Sequence, residues 1–278
     1  MRDGQFKLAI PKLPNEVVLD PYPHLVVNNF LPKALYQKLA EHYPSDASII
    51  GKTKSRSNER RQISAAALLR DGEVTMEWNS FIEFFVSQGW WEAVLRVFTE
   101  AIRKEHSLIE STVGKPLGEF SVGVRGLDKA DLVLDCQPGI NTPALKRSTV
   151  RGPHVDNPVE LFGGLLYFRL PEDDSEGGDL LLYKHRKSNP LFWGKAELRE
   201  KDVEVVKRVP YASNTLVLFV NSINAVHGVS PRMKTKHSRR LINIIGEVYE
   251  GGGLFNLPRD RSYLGRVQNR WYQYRYGW

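Results

Sequence analysis

The chain has 278 residues, of which 41% are hydrophobic and 26% are charged, a composition typical of globular proteins with a substantial core. Its net charge of +7 is compatible with an acidic substrate or with nucleic acid. No apolar run is long enough to predict a membrane span, and no secretory segment follows Met1. The single Cys136 excludes an intramolecular disulfide. We therefore expect a cytoplasmic protein.

The first part of the chain begins with an extended segment and continues into a helix. Residues 21–24 are rich in turn formers and lead into a short strand around Val26. After Pro32, apolar residues recur with helical spacing over 35–43, which predicts an amphipathic helix. The histidines of these segments, His24 and His42, are expected to be surface or half-buried structural residues rather than metal ligands.

Residues 52–61 are basic and rich in turn formers, which predicts a loop. This loop is either a solvated connection or a segment that binds an anionic substrate. Residues 73–111 carry helical stripes of tryptophan, phenylalanine and aliphatic residues, with a break expected near Gly89. We expect these helices to pack against a sheet, and His106, at a charged helix end, to be solvated.

From residue 119 the hydrophobic period changes to that of short strands separated by turns. The predicted strands span residues 120–124, 131–135, 161–170, 179–183, 203–209, 215–220 and 241–249. Strands without intervening helices predict an antiparallel sandwich or barrel, so the expected class is α+β with a mainly β core.

No repeat or flexible linker divides the chain, which predicts one domain over residues 1–278. Within it, residues 1–115 are the helical support, residues 116–250 the β core, and residues 251–278 a C-terminal extension. Arginines alternate with aromatic residues in that extension. Such a pattern can stack on bases or sugar rings, but we expect it to pack against the protein.

Two histidines and one aspartate are the candidate metal ligands. His154 and Asp156 are two residues apart, so in an extended strand both side chains project from one face. A β-prone run over residues 214–220 is followed by His227. Imidazole nitrogen and carboxylate oxygen suit a first-row divalent ion, and three such ligands leave coordination positions open.

The combination of motifs resembles the iron(II)- and 2-oxoglutarate-dependent oxygenases, and within them the prolyl 4-hydroxylase-like group. The resemblance covers residues 131–249 and rests on the ordered ligands and on three further elements, which are Leu166-Tyr167-Phe168, Gly177-Gly178-Asp179-Leu180 and Val229-Ser230-Pro231. It implies a double-stranded β-helix (jelly roll) braced by the N-terminal helices. It also implies Fe(II), bound by His154, Asp156 and His227, with 2-oxoglutarate and O2 as cosubstrates.

The same resemblance implies that an arginine binds the far carboxylate of 2-oxoglutarate, through charge-assisted hydrogen bonds. Arg239 and Arg240 begin the strand after His227 and point to opposite faces. The family spacing favours Arg239, but strand alternation leaves Arg240 open because Leu241 and Ile242 are both apolar. Tyr167 matches a tyrosine that often binds this carboxylate, and it could equally be a core residue.

Other histidines fit the metal less well. His185 lies in a charged turn, and His237 lies among lysines and arginines whose field disfavours a cation. Asp156 stands where halogenating relatives have a small residue, which disfavours halogenation. Ile245 and Gly246 stand where nucleic-acid demethylating relatives carry a second arginine, so a nucleic-acid partner is not expected.

The resemblance therefore predicts a dioxygenase that hydroxylates an unactivated C–H bond of a small, anionic molecule and converts 2-oxoglutarate to succinate. Arg151, the loop at residues 52–61 and the C-terminal extension are the candidate substrate contacts. Two alternatives remain. A peptidyl hydroxylase acting on a protein predicts an open groove beside the metal, and a cupin-like metal-binding protein would have no oxygenase activity. The sequence makes no prediction about oligomeric state.

Overall fold

The structure, a computed structural model, describes residues 12–71, 74–186, 197–252 and 254–255. Its α-helices are α1 (Lys33–Glu41), α2 (Asp46–Ile50), α3 (Ala65–Asp71), α4 (Met76–Phe85), α5 (Gln88–Glu105) and α6 (Ile109–Val113). Its strands are β1 (His24–Val27), β2 (Arg60–Gln62), β3 (Val122–Val124), β4 (Leu132–Asn141), β5 (Glu160–Tyr167), β6 (Leu180–His185), β7 (Val203–Val209), β8 (Leu216–Val220), β9 (His227–Val229) and β10 (Arg239–Glu247). In the described part of the chain, no helix is long and apolar enough to cross a membrane.

Two sheets organise the β core. The larger sheet has the order β1-β8-β5-β10-β4-β2, with β3 parallel to β4, and the smaller sheet has the order β7-β6-β9. The segment at residues 151–154 pairs with β9, because His154 N donates to His227 O at 2.8 Å and Val229 N donates to Arg151 O at 3.0 Å. The mixed α+β class with a dominant β part is therefore confirmed.

The helices cover one face of the larger sheet. Helices α4 and α5 each start at a side-chain cap: Thr75 accepts from Trp78 N, and Ser87 accepts from Trp90 N. The helix boundary therefore falls at Ser87, and Gly89 lies inside α5 rather than at the predicted break. The amphipathic stripes predicted from the sequence pack into one buried apolar cluster with the sheet, which includes Phe81, Trp91, Leu166, Ile242 and Ile244.

The other face of the larger sheet is divided. Next to the smaller sheet it is apolar, and a second buried cluster joins the two sheets through Leu165, Tyr167, Leu180, Phe219 and Leu241. Toward β2 and β4 the same face is polar. Because alternate residues share a face, the strand register places Arg60, Gln62, Gln137, Asn141, Arg239 and Asn243 there. We call this side the cavity face and the opposite side the helix face.

Several expectations require correction. His24 was expected at the surface or half-buried, but it is fully buried at 0% exposure in β1, where Lys207 donates to its ring. His106 was expected to be solvated, but it is 2% exposed because Asn221 and Leu254 fold over it.

Some elements were absent from the sequence-based prediction. The basic loop ends in β2, whose Arg60 and Arg61 pair with β4, and the three-residue β9 was not predicted. Strand β4 continues past the expected end at residue 135 to Asn141, through a Pro-Gly pair that normally indicates a turn. Helices α2, α3 and α6 were also not predicted. Of the C-terminal extension, residue 253 and residues 256–278 lie outside the described residues.

Candidate metal and anion site

His154, Asp156 and His227 lie together between the two sheets. His154 and His227 are directly paired through their backbones, which brings the centres of their rings to 4.2 Å. Asp156 Oδ1 is 3.5 Å from His154 Nε2, and Asp156 Oδ2 is 3.3 Å from His227 Nε2. The three ligand atoms all lie within 4.8 Å of one another. This is the arrangement that a single metal ion requires.

Backbone contacts determine which ring nitrogen faces the cluster. His154 Nδ1 is 2.8 Å from Gly152 O, and His227 Nδ1 is 2.9 Å from Ala225 O. A carbonyl oxygen can only accept, so each Nδ1 carries the proton and donates. In the neutral imidazoles each Nε2 therefore keeps its lone pair and points it toward Asp156. Such outer hydrogen bonds typically orient metal-binding histidines.

The protonation states also suit a cation. Burial, reinforced by repulsion from His227, lowers the pKa of His154 to about 4, so its ring is neutral near pH 7. Burial alone would raise the pKa of Asp156, but attraction to His227 and His154, and hydrogen bonds from either ring whenever its Nε2 is protonated, hold that pKa well below its usual value. A carboxylate and a neutral imidazole in contact are the forms that bind metal.

The cluster opens into a cavity of about 110 Å³ whose lining is rich in positive charge. Its charged lining residues are Arg60, Arg151 and Arg239 together with the single acid Asp156. Leu165, Leu180 and Phe219 form apolar parts of the wall. The cavity therefore combines a metal-ligand set with cations that can bind an anion.

Arg239 is the buried cation of the cavity, at 2% exposure. Its Nε donates to Gly178 O at 2.7 Å, and its Nη1 donates to Asn141 Oδ1 at 3.1 Å. Neither partner carries a negative charge, so the guanidinium is held in place without being neutralised. A buried cation without a counterion is costly, and an anionic ligand would relieve that cost.

Two buried polar atoms lack hydrogen bonds beside this guanidinium. Within the described residues, neither Arg239 Nη2 nor the Tyr167 hydroxyl has a hydrogen-bond partner. The Arg239 guanidinium carbon is 4.8 Å from the centre of the Tyr167 ring. Buried polar groups are normally satisfied, so these orphaned donors fit a ligand carboxylate between a metal and an arginine. The donor set thus fits both iron(II) and 2-oxoglutarate.

Gly178 allows Arg239 to approach. Its φ of +81° is in the left-handed region that favours glycine. A Cβ atom here would lie 3.2 Å from Arg239 Cδ and 3.2 Å from Arg232 Cγ. The Gly177-Gly178 turn before β6 therefore has a packing role beside the cavity.

The remaining predicted residues are distributed differently. Arg151 lines the cavity, and its Nη1 is 3.4 Å from Asp156 Oδ1. Arg240 lies on the helix face, where its guanidinium carbon is 5.2 Å from the centre of the Tyr43 ring. His185 Nε2 contacts Ile223 O at 2.9 Å, and His237 Nε2 is 3.8 Å from Asp174 Oδ1. Neither of these two histidines belongs to the metal-ligand cluster.

Sequence reasoning did not single out three residues that line the cavity. Arg60 was part of a predicted loop and was not named individually, Asn141 was not considered, and Asn243 entered only through the spacing that favours Arg239. A signal was present, because Arg239 and Asn243 are separated by an even number of residues and share a face. A polar residue inside an apolar strand could therefore have indicated which side of β10 faces the cavity.

Comparisons with known proteins give structural neighbours only. No family model matches the chain, and no curated protein matches it. A prolyl 4-hydroxylase from Pseudomonas putida is 13% identical, with 83% of this chain and 95% of that chain covered and a TM-score of 0.43. A Trichoplax adhaerens prolyl hydroxylase, solved with a hypoxia inducible factor peptide fragment, is 15% identical, with 83% and 86% covered and a TM-score of 0.43.

A third neighbour is a prolyl 4-hydroxylase from Phytophthora capsici, which is 14% identical, with 88% of this chain and 68% of that chain covered and a TM-score of 0.42. These neighbours are of the group that the sequence motifs resemble. At such identities and TM-scores, however, the substrates and reactions of those proteins do not transfer to this chain.

Proposed function

We propose that the chain is an iron(II)- and 2-oxoglutarate-dependent dioxygenase that hydroxylates a C–H bond of a small, anionic molecule. One observation carries the proposal: the cluster of His154, Asp156 and His227 shares a cavity with Arg239, a buried arginine that has no counterion among the described residues. A metal-ligand set alone would suit many proteins. The adjacent arginine supports a cosubstrate that chelates the metal at one end and carries a carboxylate at the other.

We also propose that the two sheets form a double-stranded β-helix. The chain alternates between the sheets: β4 lies in the larger sheet, residues 151–154 lie beside the smaller one, and β5 returns to the larger. Strands β6 and β7 then belong to the smaller sheet, β8 to the larger, β9 to the smaller and β10 to the larger. This order supports a jelly roll whose metal ligands lie between its sheets.

In this proposal His154, Asp156 and His227 would hold the metal, and Arg239 would bind the far carboxylate of 2-oxoglutarate. When bound, iron(II) and 2-oxoglutarate supply the activation of dioxygen that amino-acid side chains cannot provide, with release of succinate and carbon dioxide. Asn141 and the Gly178 carbonyl orient the guanidinium of Arg239 through the hydrogen bonds described above. Because the guanidinium is fixed before the ligand arrives, little ordering remains to be done on binding.

The rest of the cavity would position the substrate and limit the access of water. Leu165, Leu180 and Phe219 supply an apolar wall beside the metal ligands, which protects a reactive site from bulk water. Arg151 is a candidate contact for the anionic group of the substrate, although its ion pair with Asp156 at 3.4 Å offsets part of its positive charge.

The first test measures the binding of metal and cosubstrate, and turnover is measured after it. Manganese(II) and 2-oxoglutarate would be titrated into the protein without oxygen, and succinate release would then be measured with iron(II) in air. We expect the native chain to bind both, and His227→Ala to lose metal binding and succinate release together. His42→Ala is the matched control, because His42 is an exposed histidine far from the cluster.

Three results would overturn the proposal. Absence of metal binding by the native chain, or equal binding by His227→Ala, would reject the ligand assignment. Metal binding without any 2-oxoglutarate binding would instead favour a cupin-like metal protein that has the same cluster but no oxygenase activity.

A further inference from the structure

The cavity face of β2, β4 and β10 carries a row of polar side chains, of which the proposed cosubstrate contacts only Arg239. Across the strands, Arg60 is paired with Asn141, which is paired with Arg239. Four residues along the same face, beyond the pair of Gly139 and Leu241, Gln137 is paired with Asn243. Arg60, Asn141 and Asn243 line the cavity. A sheet face that only packs against a second sheet is normally apolar, so a polar row next to the metal ligands indicates contact with a polar ligand.

Hydrogen bonds fix the orientation of this row from one end. The buried Asp135 can only accept, and it receives Gln137 Nε2 at 2.7 Å and Ala65 N at 2.8 Å. Gln137 must therefore turn its oxygen the other way, where it accepts from Gln62 Nε2 at 2.7 Å and from Asn243 Nδ2 at 2.9 Å. The side-chain amides of Gln137 and Asn243 are thereby oriented, because rotating either one by 180° would bring two oxygen atoms into contact.

The consequence is a defined set of free groups. Gln62 Oε1 accepts from Arg60 Nε at 3.0 Å, so the guanidinium of Arg60 is held through its Nε atom. Within the described residues, the two Nη atoms of Arg60 make no hydrogen bond or ion pair, and Asn243 Oδ1 accepts no hydrogen bond. The row therefore presents one oriented cation and one hydrogen-bond acceptor to the cavity.

The charges of the loaded site favour an additional anion. A divalent metal with Asp156, together with a dianionic cosubstrate, leaves a single negative charge that Arg239 balances. Arg151 lies 3.4 Å from Asp156, whose charge is already counted with the metal, so Arg151 adds a further positive charge to the site. In the described part of the chain Arg60 makes no ion pair, and its longer-range attraction to Asp156 and Glu160 leaves its Nη atoms unpaired. A ligand that brings a negative charge would therefore be attracted to Arg60.

We infer that the substrate is a small acid with a carboxylate or phosphate that Arg60 binds through its Nη atoms, and with a hydroxyl or amino group that donates to Asn243 Oδ1. This inference rests on the proposed function and assigns its substrate class. Arg60 is a specificity-determining residue, and Gln62 and Gln137 are positioning residues that orient Arg60 and Asn243. Two oriented contacts on one side of the metal would select acids that carry a donor near the anionic group.

The matched pair for a test lies in β2. Arg60→Gln removes the cation from the cavity face, whereas Arg61→Gln removes the same charge from the adjacent residue, whose side chain pairs with Glu59 at 3.1 Å. Both variants change the net charge equally, so a difference between them reports position rather than total charge. Arg60→Lys keeps the charge but loses the fork of donors. Because Arg60 is exposed and Arg61 is half-buried, these variants are expected to fold.

The probes are hydroxy acids, amino acids, sugar phosphates, the uncharged amide or dephosphorylated counterparts of these, and acidic peptides. Each is titrated calorimetrically into the manganese(II) and 2-oxoglutarate complex without oxygen. We expect at least one acid to bind and its neutral counterpart to bind at least about tenfold more weakly. Arg60→Gln should weaken acid binding by about tenfold to a hundredfold, Arg60→Lys by less, and Arg61→Gln by less than about twofold.

The other possible outcomes contradict all or part of the inference. If no acid binds, if the neutral counterparts bind as tightly, or if both glutamine variants weaken binding equally, the inference is wrong. If only acidic peptides bind, the small-molecule part is wrong and a peptidyl hydroxylase is favoured. The affinity of each variant for 2-oxoglutarate is measured separately, so that failure of the cosubstrate site is distinguished from failure at Arg60.

Discussion

The two faces of the larger sheet divide stability and binding between them. On the helix face, Ile242, Ile244 and Leu166 are fully buried in the apolar cluster that joins the sheet to the helices. On the cavity face, the alternate positions include Arg239, Asn243 and Gln137. The same strands therefore contribute to an ordinary core on one side and to a polar cavity on the other. Polar side chains in such positions reduce stability, and their presence points to a ligand.

Adjacent arginines illustrate this division within one strand. Arg239 points to the cavity, where it lies within 5.0 Å of the centre of the Tyr211 ring. Arg240 points to the helix face and packs over Tyr43. Two residues with the same chemistry thus have different surroundings because of strand alternation. Substitutions on the two faces should accordingly have different consequences.

The largest expected effect is on the helix face. Phe81 is fully buried, with ring centres of Trp78 and Phe85 at 5.4 Å and 4.7 Å from its own. Phe81→Ala should lower the free energy of unfolding by about 3 to 5 kcal/mol, because it removes buried apolar contacts and leaves a cavity. Denaturant unfolding would measure the loss.

The same variant also tests whether metal binding depends on the helix face. Phe81 does not contact the cavity, so the folded fraction of Phe81→Ala should still bind manganese(II) with native stoichiometry. Loss of metal binding by protein that remains folded would show that the two faces are not independent.

The next effect separates the two arginines. Arg239→Gln should weaken 2-oxoglutarate binding by about tenfold to a hundredfold, because a charge-assisted hydrogen bond contributes about 1.5 to 3 kcal/mol. Arg240→Gln, which makes the same chemical change on the helix face, should weaken it far less. Calorimetric titration in the presence of manganese(II) and without oxygen would compare them. A larger effect at Arg240 would reverse the assignment of the cosubstrate residue.

Parts of this arrangement were predictable from the sequence because they depend on local patterns. The run at residues 203–209 is rich in valine and ends at Pro210, and its predicted bounds agree with β7. The amphipathic stripe of α5 is long enough to define a helix and its buried face. The pairing of His154 with Asp156 on one side of a segment follows from spacing alone, whereas their approach to His227 requires the fold.

Other parts could not be predicted because they depend on distant partners. Strands β2 and β9 have three residues each, too few to show a period, and they become strands only through hydrogen bonds to β4 and β6. Residues 136–141 of β4 likewise form a strand through their pairing with β10, although their Pro-Gly pair normally indicates a turn. Burial of His106 arises from residues more than one hundred positions away in the chain.

A smaller effect is expected where the helix face meets the strands. The Tyr43 hydroxyl lies 2.8 Å from Gly139 O and 2.7 Å from Leu241 O, and it accepts from Gly139 N at 3.1 Å. It thus ties the residues after α1 to β4 and β10. Tyr43→Phe should lower the free energy of unfolding by about 1 kcal/mol, since neighbouring groups lose a hydrogen bond while the ring stays packed.

Denaturant unfolding of Tyr43→Phe beside Tyr249→Phe provides the comparison. Tyr249 is exposed and donates to Glu247, so its hydroxyl should contribute less because water can replace it. Equal losses in the two variants would contradict the stabilising role assigned to the buried hydroxyl.

The smallest expected effect is the pH dependence contributed by His106, which lies at the junction of the helices and the cavity strands. Its ring nitrogens face two carbonyl oxygens, those of Leu254 at 3.1 Å and Asn221 at 2.7 Å. Burial lowers the pKa of His106 in the folded protein, so on acidification the unfolded chain takes up a proton first. Stability is therefore present above the usual histidine pKa of about 6.5 and is lost as the pH falls below it.

Between pH 7 and pH 6 this contribution should be less than about 1 kcal/mol, because the interval is one pH unit centred on the unfolded pKa of about 6.5 and a full proton corresponds to about 1.4 kcal/mol per pH unit. His106→Gln should reduce the pH dependence of the free energy of unfolding in that interval, whatever its effect on absolute stability. His42→Gln, which changes an exposed histidine, should retain the native dependence. Urea unfolding at the two pH values measures each slope. An unchanged slope in His106→Gln would mean that the buried ring already takes up its proton in the folded state, held by both carbonyls, and that burial does not dominate at this junction.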